Sequence, residues 1–300
     1  MKAEKHKIPA KSKSKITYSK ARSFVISEPS AKYGSRRGHS FGGSWTREKL
    51  ERLKKYLSAY TTALKKQPFT LAYIDAFAGT GYRTLKDGDE TSELMFPELA
   101  EEETQHFVEG SARIALQVEP RFSKYIFIEK KGKHVAELEK LKEEYPDLAK
   151  NIIIENAEAN EYLKKLCKKD WKKHRAVLFL DPYGMQVNWQ TLEAIANSKA
   201  IDLWILFPLG VAVNRLLKRD GNINNAVKKR LDEMFGSQDW YETFYKETTS
   251  DDLFGGQTKV HKVSSFQKIG EYFVNRLKTI FPGVADNPLP LYNSRGNPLY

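Results

Sequence analysis

Five largely apolar runs, interrupted only by Asp75 in the first and Asp202 in the last and each leading toward a stretch of helical periodicity, constrain this chain more than any other feature of its sequence. The runs are Leu71 to Ala76, Tyr125 to Ile128, Ile152 to Ile154, Ala176 to Leu180 and Ile201 to Phe207. A strand buried on both faces reads as continuous apolar sequence, whereas a half-solvated strand alternates. The helical stretches between them are Ala112 to Val118, with Ser111 as its expected cap, His134 to Tyr145, a turn through Tyr162, Leu163 and Leu166, and Trp189 to Asn197. This alternation predicts an α/β fold with a mostly parallel sheet flanked by helices. The competing arrangement is a helical bundle with short buried segments. Ahead of the first run, Ser44 or Thr46 can cap a helix whose apolar positions Trp45, Leu50, Leu53, Leu57, Tyr60 and Leu64 recur mostly every three or four residues. Beyond Phe207 the pattern turns helical over Val211 to Lys218, Asn224 to Phe235, Trp240 to Tyr245 and Phe266 to Ile280.

Composition narrows the function classes. Three hundred residues, 40% of them hydrophobic, suffice for one full core. No run approaches the roughly 18–20 apolar residues of a membrane span, and the Lys-rich start does not read as a signal peptide. Cys167 is the single cysteine, which excludes an internal disulfide framework and any Cys-built metal site, and the six histidines are scattered. The expectation is a soluble cytoplasmic protein with no metal centre and no membrane contact. The net charge of +12 is unevenly placed. Residues 1–40 hold eleven Lys and Arg against Glu4 and Glu28, while the other 260 residues hold 39 basic and 36 acidic side chains. Residues 1–43 therefore read as a basic, disordered tail, able to touch DNA or RNA phosphates or simply to keep the chain soluble. Residues 44–300 read as the folded domain.

Ligands of open parallel sheets bind at the carboxyl ends of the strands, so the residues there are the candidates. The first run ends Asp75-Ala76-Phe77-Ala78-Gly79-Thr80-Gly81, an acidic residue entering a Gly-bounded turn that lets backbone approach a ligand. The Gly-x-Gly-x-x-Gly spacing of a dinucleotide fold is absent, which disfavours a nicotinamide dehydrogenase. The second run ends in Glu129, placed to accept the ribose hydroxyls of an adenosine-containing cofactor, or to sit as a surface carboxylate at a helix start. The stretch 82–110 between the two units is expected to be an inserted lid or substrate loop. The third run leads to Glu155-Asn156-Ala157-Glu158-Ala159-Asn160, whose polar groups could meet an adenine amino group, or whose asparagines could cap the next helix. The fourth ends Asp181-Pro182-Tyr183-Gly184. There a carboxylate, a Pro-fixed carbonyl and a ring come together, a set suited to holding a base amine for methyl transfer, or else an ordinary turn. Asn214 and Arg215 follow the fifth run. Cys167, with no histidine at suggestive spacing, reads as a structural thiol.

Taken together, these blocks resemble the three-Cys-motif partner protein family, TcmP. The matching stretches are Trp45 to Leu64, Ile74 to Gly81, Gly110-Ser111, Phe127 to Glu129, Leu180 to Met185, Leu206 to Gly210 with Asn214-Arg215, and the closing Asn293 to Tyr300. The match runs from about Phe41 to the end and leaves the basic tail outside. The resemblance implies a Rossmann-like, class I methyltransferase fold with added C-terminal helices. It also implies a partner bearing a three-cysteine motif, similar to radical-S-adenosylmethionine proteins. In related proteins the closing segment leads into a further apolar strand, so the chain is expected to be truncated at Tyr300 or to lack a sheet edge. Glu158 stands where an aspartate is more usual.

Two functions follow as expectations. One is an S-adenosylmethionine-dependent methyltransferase acting on a nucleic-acid base amine. In it Asp75, Phe77, Gly79 and Gly81 hold the methionine end, Glu129 the ribose and Glu158 the adenine side, while Asp181, Pro182 and Tyr183 position the acceptor. The other is a non-catalytic subunit of the three-cysteine protein in a defence or mobile-element system. The single Pro of Asp-Pro-Tyr, where amine methyltransferases commonly have two, keeps it open.

Overall fold

The fold was obtained as a computed structural model, and the structure describes residues 44–78, 110–182, 184–252, 255–292, 298 and 300. The described part opens with helix α1 (Ser44–Leu64) and strand β1 (Thr70–Asp75). Helix α2 occupies residues 110–117. It is followed by β2 (Lys124–Glu129), α3 (Gly132–Glu144), β3 (Ile152–Asn156), α4 (Ala159–Cys167), β4 (His174–Leu180), α5 (Trp189–Ser198) and β5 (Ile201–Ile205). The five strands pair in the order β3-β2-β1-β4-β5, and every pairing is parallel. The order climbs outward from β1 to β3 and then returns to the other side of β1. The reversal point lies between β1 and β4, and this doubly wound arrangement is Rossmann-like.

Successive side chains of a strand point to opposite faces, and here both faces are covered. Tyr73, Tyr125, Phe127, Val177 and Phe179 face a core shared with Leu53 and Leu57 of α1, Leu116 of α2 and Leu141 of α3. Ile74, Ile128, Leu178 and Leu180 face the opposite core, with Leu163 of α4 and Ile195 of α5. Burial on both sides is why the strands carry no polar alternation. Each large side chain taken wholly out of water contributes about 1.5–3 kcal/mol.

The second core is extended by C-terminal elements. Beyond β5 a π-helical turn (Leu209–Val213) runs into the one-turn helix α6 (Asn214–Leu216). Helices α7 (Asn225–Phe235), α8 (Trp240–Phe244) and α9 (Phe266–Lys278) supply Leu231, Phe235, Phe244, Ile269 and Phe273 to that core. Between α8 and α9 stands an antiparallel hairpin of β6 (Tyr245–Asp252) and β7 (Gly255–Lys262) that the apolar pattern did not announce. Its two ends are clipped together where the Val263 N–H donates to the Phe244 carbonyl at 2.8 Å. The helix expected to begin at Ala112 already includes Gly110 and Ser111, so Ser111 lies inside α2 and does not cap it from outside. No helix among the described residues is long and apolar enough to cross a membrane. The basic tail and residues 82–109 of the expected insert lie outside the described residues.

Candidate functional site at the carboxyl ends of the strands

Asp75 closes β1, Glu129 closes β2, and Asp181 lies one residue beyond the end of β4. These are neighbouring parallel strands, so the three carboxylates belong to one end of the sheet, with Asp75 and Asp181 flanking the strand-order reversal. Backbone bonds past the strand ends tighten this rim. The Ala76 N–H donates to the Phe179 carbonyl at 3.2 Å, and the Ala78 N–H donates to the Ile128 carbonyl at 3.1 Å. The turn after β1 therefore leans across the end of β2.

Asp75 is 1% exposed. Its Oδ2 accepts from the Ser111 hydroxyl at 3.0 Å and the Tyr73 hydroxyl at 3.4 Å, and its Oδ1 accepts from the Phe77 N–H at 3.3 Å. Burial is the dominant influence and pushes its pKa up to about 7. The donors, Ser111 foremost, pull it down, and the charge of Asp181 pushes it up further. Tyr73 shares the pressure: burial first, then Asp75, raises its phenol well above the ordinary value.

Glu129 is arranged differently. Its side chain is 11% exposed, and its Oε1 accepts from the Lys131 N–H at 2.6 Å at the start of α3 and lies 3.8 Å from His134 Nδ1. Oε2 accepts no hydrogen bond from any described residue. The Asn156 side chain, which donates to the Glu129 and Lys130 carbonyls at 3.0 and 2.8 Å, fixes the backbone of this turn.

Glu158 is the N-cap of α4. Its Oε2 accepts from the Glu161 N–H and its Oε1 from the Asn160 amide, both at 2.8 Å. Partial burial works against ionisation, but these donors together hold its pKa below the usual carboxylate range. The cap is thus neither of the asparagines. Asn160 is buried and fully used: it also donates to the Gln186 carbonyl at 2.8 Å and accepts from the Asn188 N–H at 3.0 Å and the Thr191 hydroxyl at 2.8 Å. It therefore anchors the far end of the loop that leaves β4 with Asp181 and Pro182.

That loop begins with half-buried Asp181 and buried Pro182 and turns at Gly184, whose φ of 68° suits glycine. A small apolar recess lies beside it, lined by Pro182, Gly184, Val187, Ile205, Pro208 and Phe273. Gly79, Gly81 and Tyr183 fall outside the described residues. Cys167 is half-buried and its thiol is pushed up to about 11 by burial, the state of an inert structural thiol. Among the described residues no three His, Cys, Asp or Glu side chains gather as a metal-binding group.

Sequence reasoning missed Ser111 and the two asparagines as organisers of the rim. Ser111 stood as a helix cap and as half of a matching pair, and no local pattern links it to a carboxylate 36 residues away.

The chain is similar to the candidate methyltransferase yhhF from Escherichia coli, at 10% identity over 70% of this chain and 84% of that one, with a TM-score of 0.29. It is also similar to protein LPL1258 from Legionella pneumophila str. Philadelphia 1, of the DUF519 family, at 16% identity over 81% and 94%, with a TM-score of 0.37. Scores at this level carry no argument, and the Rossmann-like class rests on the strand order itself. No protein-family model and no curated protein matches the sequence, and none of the comparisons supports the resemblance to the three-Cys-motif partner family.

Proposed function

We propose that this chain is an S-adenosylmethionine-dependent methyltransferase whose acceptor is a nucleic-acid base amine. The observation that supports it most is the position of Asp181-Pro182, just past the end of β4, beside Asp75 at the end of β1 across the reversal point of a doubly wound sheet, where Asp75 pairs with Phe179. Glu129 fits the cofactor best of the expected residues: it lies at the rim with one carboxylate oxygen that no described residue occupies, in position for a ribose diol. Asp75, with Phe77, Gly79 and Gly81, would shape the methionine end, and Glu158 would border the adenine. The cofactor supplies an electrophilic methyl group on sulfonium sulfur. The Asp181 carboxylate and the Pro182 carbonyl would accept the amine hydrogens, turning the nitrogen lone pair toward that methyl, with Tyr183 stacked on the base. Asp75 contributes through its raised pKa of about 7, which lessens the second negative charge beside Asp181 as pH falls toward and below neutrality. The basic tail would add phosphate contacts and residues 82–110 a cover for the site, in a cytoplasmic enzyme.

Titration calorimetry with S-adenosylmethionine and with its demethylated product, on the folded chain, tests cofactor binding, and the absence of heat with both would sink the proposal. Transfer of labelled methyl to DNA or RNA tests the acceptor.

The second reading, a non-catalytic subunit of a three-cysteine-motif protein, draws on the engagement of Asp75 and Glu158 by protein donors. Cofactor heat without methyl transfer to DNA, RNA or the partner would favour it.

A further inference from the structure

The opposite end of the same strands carries a different chemistry. Five loops enter the sheet there, and three of them carry the lysines: the one between α1 and β1, the one between α4 and β4, and the short turn between α5 and β5; in the loop entering β2, Glu119 is paired with Arg121 at 2.8 Å. The first holds Lys65 and Lys66, and the second holds Lys168, Lys169, Lys172 and Lys173, all exposed. The first two loops lie far apart in sequence but meet in space, because the Thr70 N–H donates to the Lys173 carbonyl at 2.9 Å. The third brings exposed Lys199 alongside, where the Ala176 N–H donates to the Ala200 carbonyl at 3.0 Å. None of these lysines is in an ion pair with a described residue. The one acidic residue of the α4–β4 loop, Asp170, is turned back onto the Lys172 N–H at 2.9 Å. Like charges at this density raise one another's energy until a polyanion or counter-ions neutralise them.

We propose that this amino-end face is a second nucleic-acid contact of the folded domain, which grips the phosphate backbone about 20 Å from the rim, the length of a seven-residue strand. The partner is identified by charge complementarity combined with a lack of apolar insertion groups. A membrane-docking surface sets large apolar side chains among its cations. Here Trp171 is half-buried with its indole N–H donated to the Leu166 carbonyl at 3.2 Å, and Leu289 and Tyr292, the exposed large hydrophobics among the described residues, lie in none of these loops. Lysine without base-reading partners makes the contact sequence-independent. It stands whether or not the rim transfers methyl groups.

The test is binding of a fluorescent 20-base-pair duplex to the full-length chain, followed by anisotropy from 50 to 200 mM salt. Exchanging Lys168, Lys169, Lys172 and Lys173 together for Gln is expected to flatten the slope of log affinity against log salt by about 2–4. The same change weakens binding at 50 mM salt by at least about tenfold. The basic tail is present in both proteins, so the difference reports the folded face alone. A smaller variant, Lys65→Gln with Lys66→Gln, guards against a folding defect and is expected to flatten the slope by about 1–2. Its matched control on α3, Lys133→Gln with Lys140→Gln, leaves the slope unchanged. Unaltered slopes in both amino-end variants would overturn the proposal, as would a control that weakens binding as much as the Lys65/Lys66 pair. So would a fourfold variant that releases phosphatidylserine vesicles while holding the duplex as before.

Discussion

The two ends of one sheet solve opposite electrostatic problems. At the carboxyl ends, Asp75, Glu129 and Glu158 are drawn inward and met by hydroxyls, backbone N–H groups and an amide. At the amino ends, lysines stand in water with no acidic partner among the described residues. A carboxylate is short and accepts hydrogen bonds from backbone, so a strand end can enclose it. A lysine is long and strongly hydrated, so the loops leave it outside. The difference teaches that charge at the rim is coupled to the fold, whereas charge at the far end is available to a partner.

Substitutions at the two ends should therefore behave unlike each other. The largest effect is expected for Asp181→Ala: methyl transfer falls by about 10²–10⁴-fold while affinity for the demethylated cofactor stays within about threefold. Single-turnover transfer and calorimetry check it, and equal losses in both would place Asp181 in cofactor binding instead.

Next comes the pH dependence set by Asp75. Between pH 4 and 7 the native chain keeps the Asp75 proton that the unfolded chain has released, so this group's contribution to stability declines as pH rises through that window. Burial is complete, and a rise from 3.8 to about 7 corresponds to a decline on the order of 4 kcal/mol. The stability difference between the native chain and Asp75→Asn, measured by denaturant unfolding, should shift by that order from pH 4 to pH 8, in favour of Asn at high pH. A pH-independent difference would show that Asp75 is ionised throughout.

Asn160→Ala should cost about 2–4 kcal/mol, since it strands buried donors and acceptors in the β4–α5 loop. An unfolding midpoint indistinguishable from the native chain's would break the anchoring argument. The smallest effect is expected at the amino end, where the fourfold lysine exchange should alter stability by less than about 0.5 kcal/mol by the same measurement.

The sheet was legible because of where it sits. Leu71 to Ile74 and Ala176 to Leu180 are apolar throughout since helices cover both faces, and they fall within β1 and β4. The acidic strand ends were legible for the same reason, each standing out against apolar sequence. The hairpin was not. Lys246, Glu247, Thr248 and Thr249 of β6 are all exposed, so no burial imposed an apolar alternation on it. Contacts between distant segments were also silent: Ser111 reaches Asp75, and Asn160 reaches Gln186, through geometry that only the assembled chain provides.

The clip between Phe244 and Val263 makes the hairpin an interchangeable cassette. Val260, packed on the core, and Lys262, whose Nζ donates to the Asn214 side chain at 2.6 Å, hold the base of the hairpin to the domain, so the arm beyond Glu247 and Val260 can be shortened to a tight turn, or exchanged for another module, while α8 and α9 stay in place. Such a port allows one scaffold to change what it touches without recasting its interior.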